Sequence, residues 1–238
     1  MTEADSRRTR PGDDRLDPPR DPHRDAPVRR EGSHVAGAPG AVIALHGRGS
    51  SAADILGLVE TIAPLSLAWW APEAAGSTWY PNSFLVPMER NQPHLDSALA
   101  TLDRIVAELV DAGIPHDRIA LLGFSQGACL ALEYSVRHAR RWGAVIGLSG
   151  GLIGPPGTPR EYPGSLDGTP VFLGCSDIDA HIPIERVRES TVVCGRMGAA
   201  VTERIYPGMG HTVNRDEVAI ARDLLAPLAT PADAVGTR

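Results

Sequence analysis

Short apolar runs alternate along the chain with longer segments whose apolar residues recur every three or four positions. The short runs predict buried strands and the longer segments predict amphipathic helices, an alternation typical of a parallel sheet covered by helices. Strands are predicted at 41–45, 65–70, 118–123, 143–149, 169–174 and 201–206. Helices are predicted at 94–113, 125–139, 183–198 and 215–229. We therefore expect one α/β catalytic domain over residues 41–229, with a doubly wound, mostly parallel sheet and no large lid domain.

The two ends of the chain lack this periodicity. Residues 1–40 are crowded with Arg, Asp and Pro and contain almost no large apolar side chains. Such a segment cannot bury enough surface to offset the entropy lost on ordering. We therefore predict a disordered N-terminal tail over residues 1–40 and a short C-terminal tail over residues 230–238.

Composition excludes several classes of function. The net charge is −6 and no basic cluster is present, which argues against nucleic acid as a partner. No apolar run approaches the roughly 18 residues of a membrane span, and no secretory signal opens the chain, so we expect no membrane insertion and a cytoplasmic location. All 23 basic residues are arginine, which excludes a Schiff-base lysine. Three cysteines lie in or beside apolar segments, which favours core packing over disulfides or zinc: Cys129, Cys175 and Cys194.

The pattern G-x-S-x-G occurs twice, as "GFSQG" around Ser125 and "GLSGG" around Ser149. A nucleophile elbow requires a strand that leads into a sharp turn and a helix that leaves directly after it. Ser125 follows an apolar run and precedes a helical pattern, whereas glycine and proline after Ser149 prevent a helix. We therefore predict that Ser125 is a nucleophile and that Ser149 lies in a loop at a strand end.

A serine hydroxyl needs a histidine to take its proton and a carboxylate to orient that histidine. In this topology the chain order is Ser, acid, His. His211, in the Gly-flanked loop "YPGMGHTV", occupies the expected position of the base, with His181 as its competitor. His138 closes the helix after Ser125 and is predicted to point away from the serine.

The loop "GCSDIDAHIP" after a predicted strand supplies two possible acids, Asp177 and Asp179. One should reach the histidine while the other braces the turn. Asp177, Asp179 and His181 could also form a metal site. Three ligands in one short loop without a second cluster are a weak pattern, so we expect neither a metal ion nor another cofactor.

Two backbone N–H groups are needed to stabilise the oxyanion of a tetrahedral intermediate. One is expected from Gln126, directly after the nucleophile, and the other from Arg48 in the "HGRG" loop. His46 is interpreted as a brace for that loop. Segment 72–93 is predicted to line or cover an acyl pocket, with ordinary loop packing or a homodimer interface as alternatives. Its large apolar and aromatic residues include Trp79, Tyr80, Phe84 and Leu85.

Five motifs in order, "LHGRG", "GFSQGA", "LSGGL", the "DxxIP" pattern at 179–183 and "GMGH", resemble the phospholipase/carboxylesterase family of α/β-hydrolases, which includes the acyl-protein thioesterases. The resemblance covers residues 41–226. It implies an α/β-hydrolase fold, Ser125 as nucleophile, His211 as base and Asp179 as acid, and it implies Gln126 and Arg48 as oxyanion donors. Members commonly carry an apolar residue where this chain has Arg48, and a charge at the pocket mouth counts against a fatty-acyl preference.

The sequence thus predicts a metal-independent serine hydrolase that cleaves small to medium acyl esters or thioesters through an acyl-enzyme. One alternative is a thioesterase or acyl transferase acting on acyl groups carried by coenzyme A or a carrier protein. Another is a non-catalytic ligand-binding protein of the same fold. A cysteine-dependent dienelactone-type hydrolase is disfavoured because Cys129 lies past the elbow.

Overall fold

The computed structural model describes residues 21–62 and 66–231. Within these ranges seven strands form one sheet in the spatial order β1-β3-β2-β4-β5-β6-β7, in which β1 alone is antiparallel to its neighbour. The strands are β1 (Val28–Gly32), β2 (Ala41–Leu45), β3 (Ala68–Pro72), β4 (Ile119–Phe124), β5 (Ala144–Leu148), β6 (Pro170–Ser176) and β7 (Ala200–Tyr206). The predicted mostly parallel α/β architecture is confirmed.

Five α-helices cover the sheet in the described part of the chain. They are α1 (Ala52–Ile62), α2 (His94–Asp111), α3 (Gln126–Arg137), α4 (Ile184–Arg196) and α5 (Arg215–Leu225). A 3₁₀ turn at Ala226–Ala229 continues α5. Four of these helices match the predictions to within a few residues, whereas α1 and β1 were not predicted. None of the described helices combines the length and apolar character that a bilayer-spanning segment requires.

Alternation along the strands divides the apolar residues between two cores. In β2, Ile43 and Leu45 face one core while Val42 and Ala44 face the other. Residues of α2, α3 and α4 complete the first core, and residues of α1 and α5 complete the second. A sheet buried on both faces holds its strand ends firmly, and the loops at the carboxyl ends of parallel strands are where α/β proteins bind ligands.

The predicted boundary at residue 40 is wrong for the part of the tail that the structure describes. Strand β1 pairs along its whole length with β3, and the Arg30 guanidinium lies 4.1 Å from the ring centroid of Trp70. The charged sequence "VRREG" suits this position because a charged edge strand resists pairing with another molecule. The cation–π contact and the backbone ladder hold a segment that has almost no apolar residues.

An upstream histidine also enters the core. His23 is 0% exposed, its Nε2–H donates to the Trp79 carbonyl at 3.0 Å, and its Nδ1 accepts from the Ala75 N–H at 3.0 Å. Residues 21–40 therefore belong to the folded unit. The remainder of the predicted N-terminal tail (1–20) and most of the predicted C-terminal tail (232–238) lie outside the described residues.

Candidate active site

Ser125 lies in the turn between β4 and α3, with φ of 54° and ψ of −117°. This conformation is sparsely populated for a side-chain-bearing residue and costs on the order of 1–3 kcal/mol. The flanking glycines make the turn possible. A Cβ on Gly123 would lie 2.3 Å from the Gly127 carbonyl carbon, and a Cβ on Gly127 would lie 2.1 Å from the Leu45 carbonyl oxygen.

Ser149 also has a positive φ, of 50°, at the end of β5. Its backbone N–H donates to the Gly174 carbonyl at 2.7 Å, and its side chain is fully buried. No helix follows it directly. The second G-x-S-x-G pattern thus lies at a strand end, and its hydroxyl is closed off from substrate.

Loops after three different strands bring Ser125, Asp179 and His211 together. His211 Nε2 lies 2.8 Å from Ser125 Oγ, and His211 Nδ1 lies 2.6 Å from Asp179 Oδ2. Because a carboxylate only accepts hydrogen bonds, Nδ1 carries the proton and Nε2 is left to accept the serine hydroxyl. Asp179 Oδ1 accepts the backbone N–H groups of His181 and Ile182 at 2.8 and 3.0 Å. The same order of hydrogen bonds, from a serine hydroxyl through an imidazole to a carboxylate, is required of a nucleophile, its base and an orienting acid.

The environment of Asp179 keeps it ionised. Burial opposes the negative charge, but the hydrogen bond from His211 and those from two backbone N–H groups outweigh it, so the pKa of Asp179 lies below its ordinary value. The Cys175 Sγ lies 3.7 Å from Asp179 Oδ2 and is a further donor to the carboxylate. The acid can therefore stabilise an imidazolium at neutral pH.

The structure places Asp177 and His181 in different roles. Asp177 Oδ1 accepts the Gly208 N–H at 2.8 Å and so fastens the loop that carries His211. His181 is exposed, and its ring centroid lies 4.8 Å from that of His211 in an edge-on arrangement. His138 stacks on Tyr134 at 4.2 Å, at the far end of α3. In the described ranges no three His, Cys, Asp or Glu side chains converge as metal ligands.

Both predicted oxyanion donors border the serine. Gln126 is the first residue of α3, so its N–H has no intrahelical partner. The loop after β2 runs beside the elbow, where a Cβ on Gly47 would lie 3.4 Å from Ser125 Cβ, and Arg48 follows in that loop. His46 braces it. Since the Ala74 N–H donates to His46 Nε2 at 3.0 Å, the His46 Nδ1–H must donate to the Gly47 carbonyl at 2.8 Å.

The Gln126 side chain has a role that its position between glycines did not reveal. Its Oε1 accepts from the Trp79 N–H at 2.9 Å and from Thr78 Oγ1 at 3.2 Å, and its Nε2 donates to the Tyr80 carbonyl at 2.8 Å. The first residue after Ser125 therefore holds segment 72–93, called the pocket loop below, against the elbow.

A cavity of about 450 Å³ opens beside Ser125 and His211. Its apolar and aromatic wall is formed by Tyr80, Phe84, Phe124, Cys129 and Ile182. Its polar lining comes from Gly47, Arg48, Ser50, Ser83, Gln126 and His181. This volume lies within the usual range for a small-molecule site. Of the four predicted pocket residues, the structure brings Tyr80 and Phe84 to the cavity.

The predicted pocket positions of Trp79 and Leu85 need correction, because neither lines the cavity. Trp79 is 0% exposed, and its Nε1–H donates to the His46 carbonyl at 2.9 Å. Leu85 packs against the core on the α2, α3 and α4 side of the sheet. A large aromatic side chain with a buried hydrogen-bond partner packs into the core more readily than it faces solvent.

Two cavity residues that the sequence did not single out lie directly beside His211 and Asp179. The Phe124 ring centroid lies 5.0 Å from that of His211, and Ile182 follows the Asp179 loop. The sequence held a signal for both, since Phe124 directly precedes Ser125 and Ile182 lies three residues after Asp179. Cys129 is also in the wall, but burial raises the pKa of its thiol to about 12, so it stays protonated and is a poor nucleophile.

The sequence and the fold of this chain are similar to those of known proteins. A family model described as phospholipase/carboxylesterase matches residues 34–228. The chain belongs to the phospholipase/carboxylesterase family. A solved phospholipase/carboxylesterase from Dyadobacter fermentans is 42% identical, covers 85% of this chain and 97% of its own, and superposes with a TM-score of 0.82. The predicted α/β-hydrolase fold is thereby confirmed.

Relatives of this family member also include acyl-protein thioesterase 1 from two fungi. The protein of Saccharomyces cerevisiae is 30% identical over 125 residues, which is 51% of this chain and 55% of its own. The protein of Gibberella zeae is 29% identical over 123 residues, which is 48% of this chain and 49% of its own. The chain thus spans about half the length of these two curated relatives.

Proposed function

We propose that this family member is a serine hydrolase that cleaves carboxylic esters or thioesters of small to medium acyl groups. The observation that carries the proposal is the unbroken hydrogen-bond chain from Ser125 Oγ through His211 to Asp179, at 2.8 and 2.6 Å. Distances of this size allow proton transfer without rearrangement of the site.

In the proposed mechanism His211 Nε2 takes the hydroxyl proton as Ser125 Oγ attacks the carbonyl carbon. Asp179 stabilises the imidazolium, and the backbone N–H groups of Gln126 and Arg48 stabilise the oxyanion. The imidazolium then gives its proton to the leaving alcohol or thiol, and an acyl-enzyme on Ser125 remains. Water, deprotonated by the same imidazole, releases the acid.

The cavity supports a limited acyl size. Tyr80 and Phe84 are almost fully buried members of its wall, and Gln126 anchors the segment that carries them. A volume of about 450 Å³ has to hold the acyl group and part of the leaving group together. We therefore expect short and medium acyl chains to be turned over better than long ones.

A thioesterase acting on acylated proteins, on coenzyme A or on a carrier protein is the second candidate. The names of the two fungal relatives, both acyl-protein thioesterase 1, favour it. Matched oxygen esters and thioesters of one acyl group distinguish the two, since a thioesterase shows the higher kcat/KM on the thioester.

Hydrolysis of p-nitrophenyl esters from acetate to dodecanoate tests the proposal. We expect wild-type turnover to be greatest at short to medium chain length and Ser125→Ala to lower it by at least about 10³-fold. Ser149→Ala is the matched control and should keep wild-type turnover. Equal loss in both variants, or none in Ser125→Ala, would contradict the assignment. The predicted cytoplasmic location is to be measured by cell fractionation, and the alternative of a homodimer by light scattering.

A further inference from the structure

A cation stands at the wall of the cavity. Arg48 Nη1 donates to the Pro81 carbonyl at 2.8 Å, and Nη2 donates to the Asn82 carbonyl at 2.6 Å. The guanidinium carbon lies 6.0 Å from the ring centroid of Tyr80, which lines the same cavity. Both acceptors are neutral, so they fix the orientation of the guanidinium without cancelling its charge.

Nearby carboxylates are committed to other groups. Asp54 accepts from the hydroxyls of Ser50 and Ser51, Glu73 accepts from the backbone of α1, and Asp179 holds the catalytic imidazole. Across residues 21–62 and 66–231, no carboxylate oxygen pairs with Arg48 within 4.0 Å. The charge is therefore available to a group that enters the cavity.

Arg48 lines the same cavity as Ser125 and His211. Arg48 belongs to the loop that runs beside Ser125, with its neighbour Gly47 lining the cavity as well. A planar guanidinium that is held in a fixed orientation beside an aromatic ring binds a carboxylate more strongly than it binds an uncharged group of the same shape. A positive charge at Arg48 therefore favours substrates that have a negative charge near the scissile bond.

We propose that Arg48 determines specificity, and that the substrates are esters or thioesters with a carboxylate a few bonds from the scissile carbonyl. The carboxylate is a spectator in the reaction. Water still cleaves the acyl C–O or C–S bond through Ser125, and no bond forms to Arg48. The inference rests on the proposed hydrolysis at Ser125.

Two pairs of isosteric esters test it and locate the carboxylate. Monoethyl succinate and ethyl 4-methylpentanoate differ in charge on the acyl side, whereas carboxymethyl butyrate and isobutyl butyrate differ in charge on the alcohol side. We expect kcat/KM for the charged member of one pair to exceed that of its neutral isostere by about tenfold at low salt. The ratio should fall as sodium chloride is added.

Variants separate recognition from bracing of the pocket loop. Arg48→Met should lower the charged-to-neutral ratio about tenfold, and Arg48→Lys should retain part of it because the charge remains. Arg90→Met removes an exposed cation from the pocket loop itself, outside the cavity lining, and should leave the charged-to-neutral ratio unchanged. If Arg48 only braces the pocket loop, Arg48→Met lowers kcat/KM equally for both members of a pair.

The outcomes are distinct. A charged-to-neutral ratio at or below one in both pairs, or a ratio that Arg48→Met leaves unchanged, overturns the specificity proposal. The proposed function still stands in that case if the neutral esters are hydrolysed. Absence of any hydrolysis, together with no labelling by a fluorophosphonate, overturns the proposed function and the specificity proposal with it.

Discussion

A buried carboxyl group at the start of α5 makes stability depend on pH in a defined direction. Glu217 is 0% exposed, and its Oε2 accepts the Asn214 N–H at 2.8 Å as part of a capping box. Its Oε1 has no hydrogen-bond partner within the described residues, and a Cβ on Gly174 would lie 2.3 Å from it. Burial raises the pKa of Glu217 to about 7 from an ordinary value of 4.5.

Because the folded state binds this proton more tightly than the unfolded chain, the free energy of unfolding decreases as the pH rises from about 4.5 to about 7. The contribution of this group is constant above that window. Each pH unit inside the window corresponds to about 1.4 kcal/mol, so between pH 5 and pH 8 the wild-type protein should lose about 2–3 kcal/mol through Glu217.

The substitution Glu217→Gln removes the titration while the amide oxygen can still accept the Asn214 N–H. Urea unfolding of both proteins at pH 5 and pH 8 measures the effect. Relative to wild type, the variant's free energy of unfolding should gain about 2–3 kcal/mol between pH 5 and pH 8. Glu60→Gln, on the exposed face of α1, is the control. It should change the free energy of unfolding by the same amount at pH 5 and at pH 8. The reasoning is refuted if Glu217→Gln shows the same pH dependence as wild type.

Three further substitutions probe the site. Gln126→Ala leaves the buried Trp79 N–H without a partner, while the Tyr80 carbonyl keeps the hydrogen bond from the Thr78 hydroxyl, so urea unfolding should show a loss of about 1–3 kcal/mol and esterase assays a raised KM; an unchanged KM would contradict the anchoring role. Gly127→Ala places a methyl 2.1 Å from the Leu45 carbonyl and should cost at least about 3 kcal/mol by urea unfolding, whereas Gly57→Ala, in open space on α1, should not destabilise. Asp179→Asn should lower kcat about 10³–10⁴-fold in an ester assay, while a loss under tenfold would mean that another group orients the imidazole.

The parts of the fold that the sequence predicted are those in which local pattern and burial agree. Strand β2 is a short apolar run buried on both faces, and α3 begins directly after the elbow serine. Strand β1 was missed because its residues are charged and its order comes from pairing with β3. Tertiary contacts of this kind leave no periodicity in the sequence. His23 likewise enters the core through hydrogen bonds to Trp79 and Ala75, distant in sequence.

In the candidate site, too, the sequence predicted the residues whose positions the topology fixes and misplaced a residue whose position depends on distant contacts. Chain order and loop context were enough to select Ser125 and His211, because the elbow and the carboxyl strand ends are fixed by topology. The choice between Asp177 and Asp179 depended on the family resemblance, since both lie in one loop. Trp79 was misplaced because an aromatic side chain in a loop can face either a pocket or the core, and the His46 carbonyl that binds it lies far away in the chain.

The central claim is that Ser125, and not its twin Ser149, is the nucleophile. Trypsin cleaves this lysine-free chain only after arginine, so residues 119–137 carry Ser125 and residues 142–160 carry Ser149. After reaction with a fluorophosphonate, tryptic mapping by mass spectrometry should place the adduct on Ser125 in the first peptide, and Ser125→Ala should remain unmodified. An adduct on the 142–160 peptide, or persistent labelling of Ser125→Ala, would contradict the account.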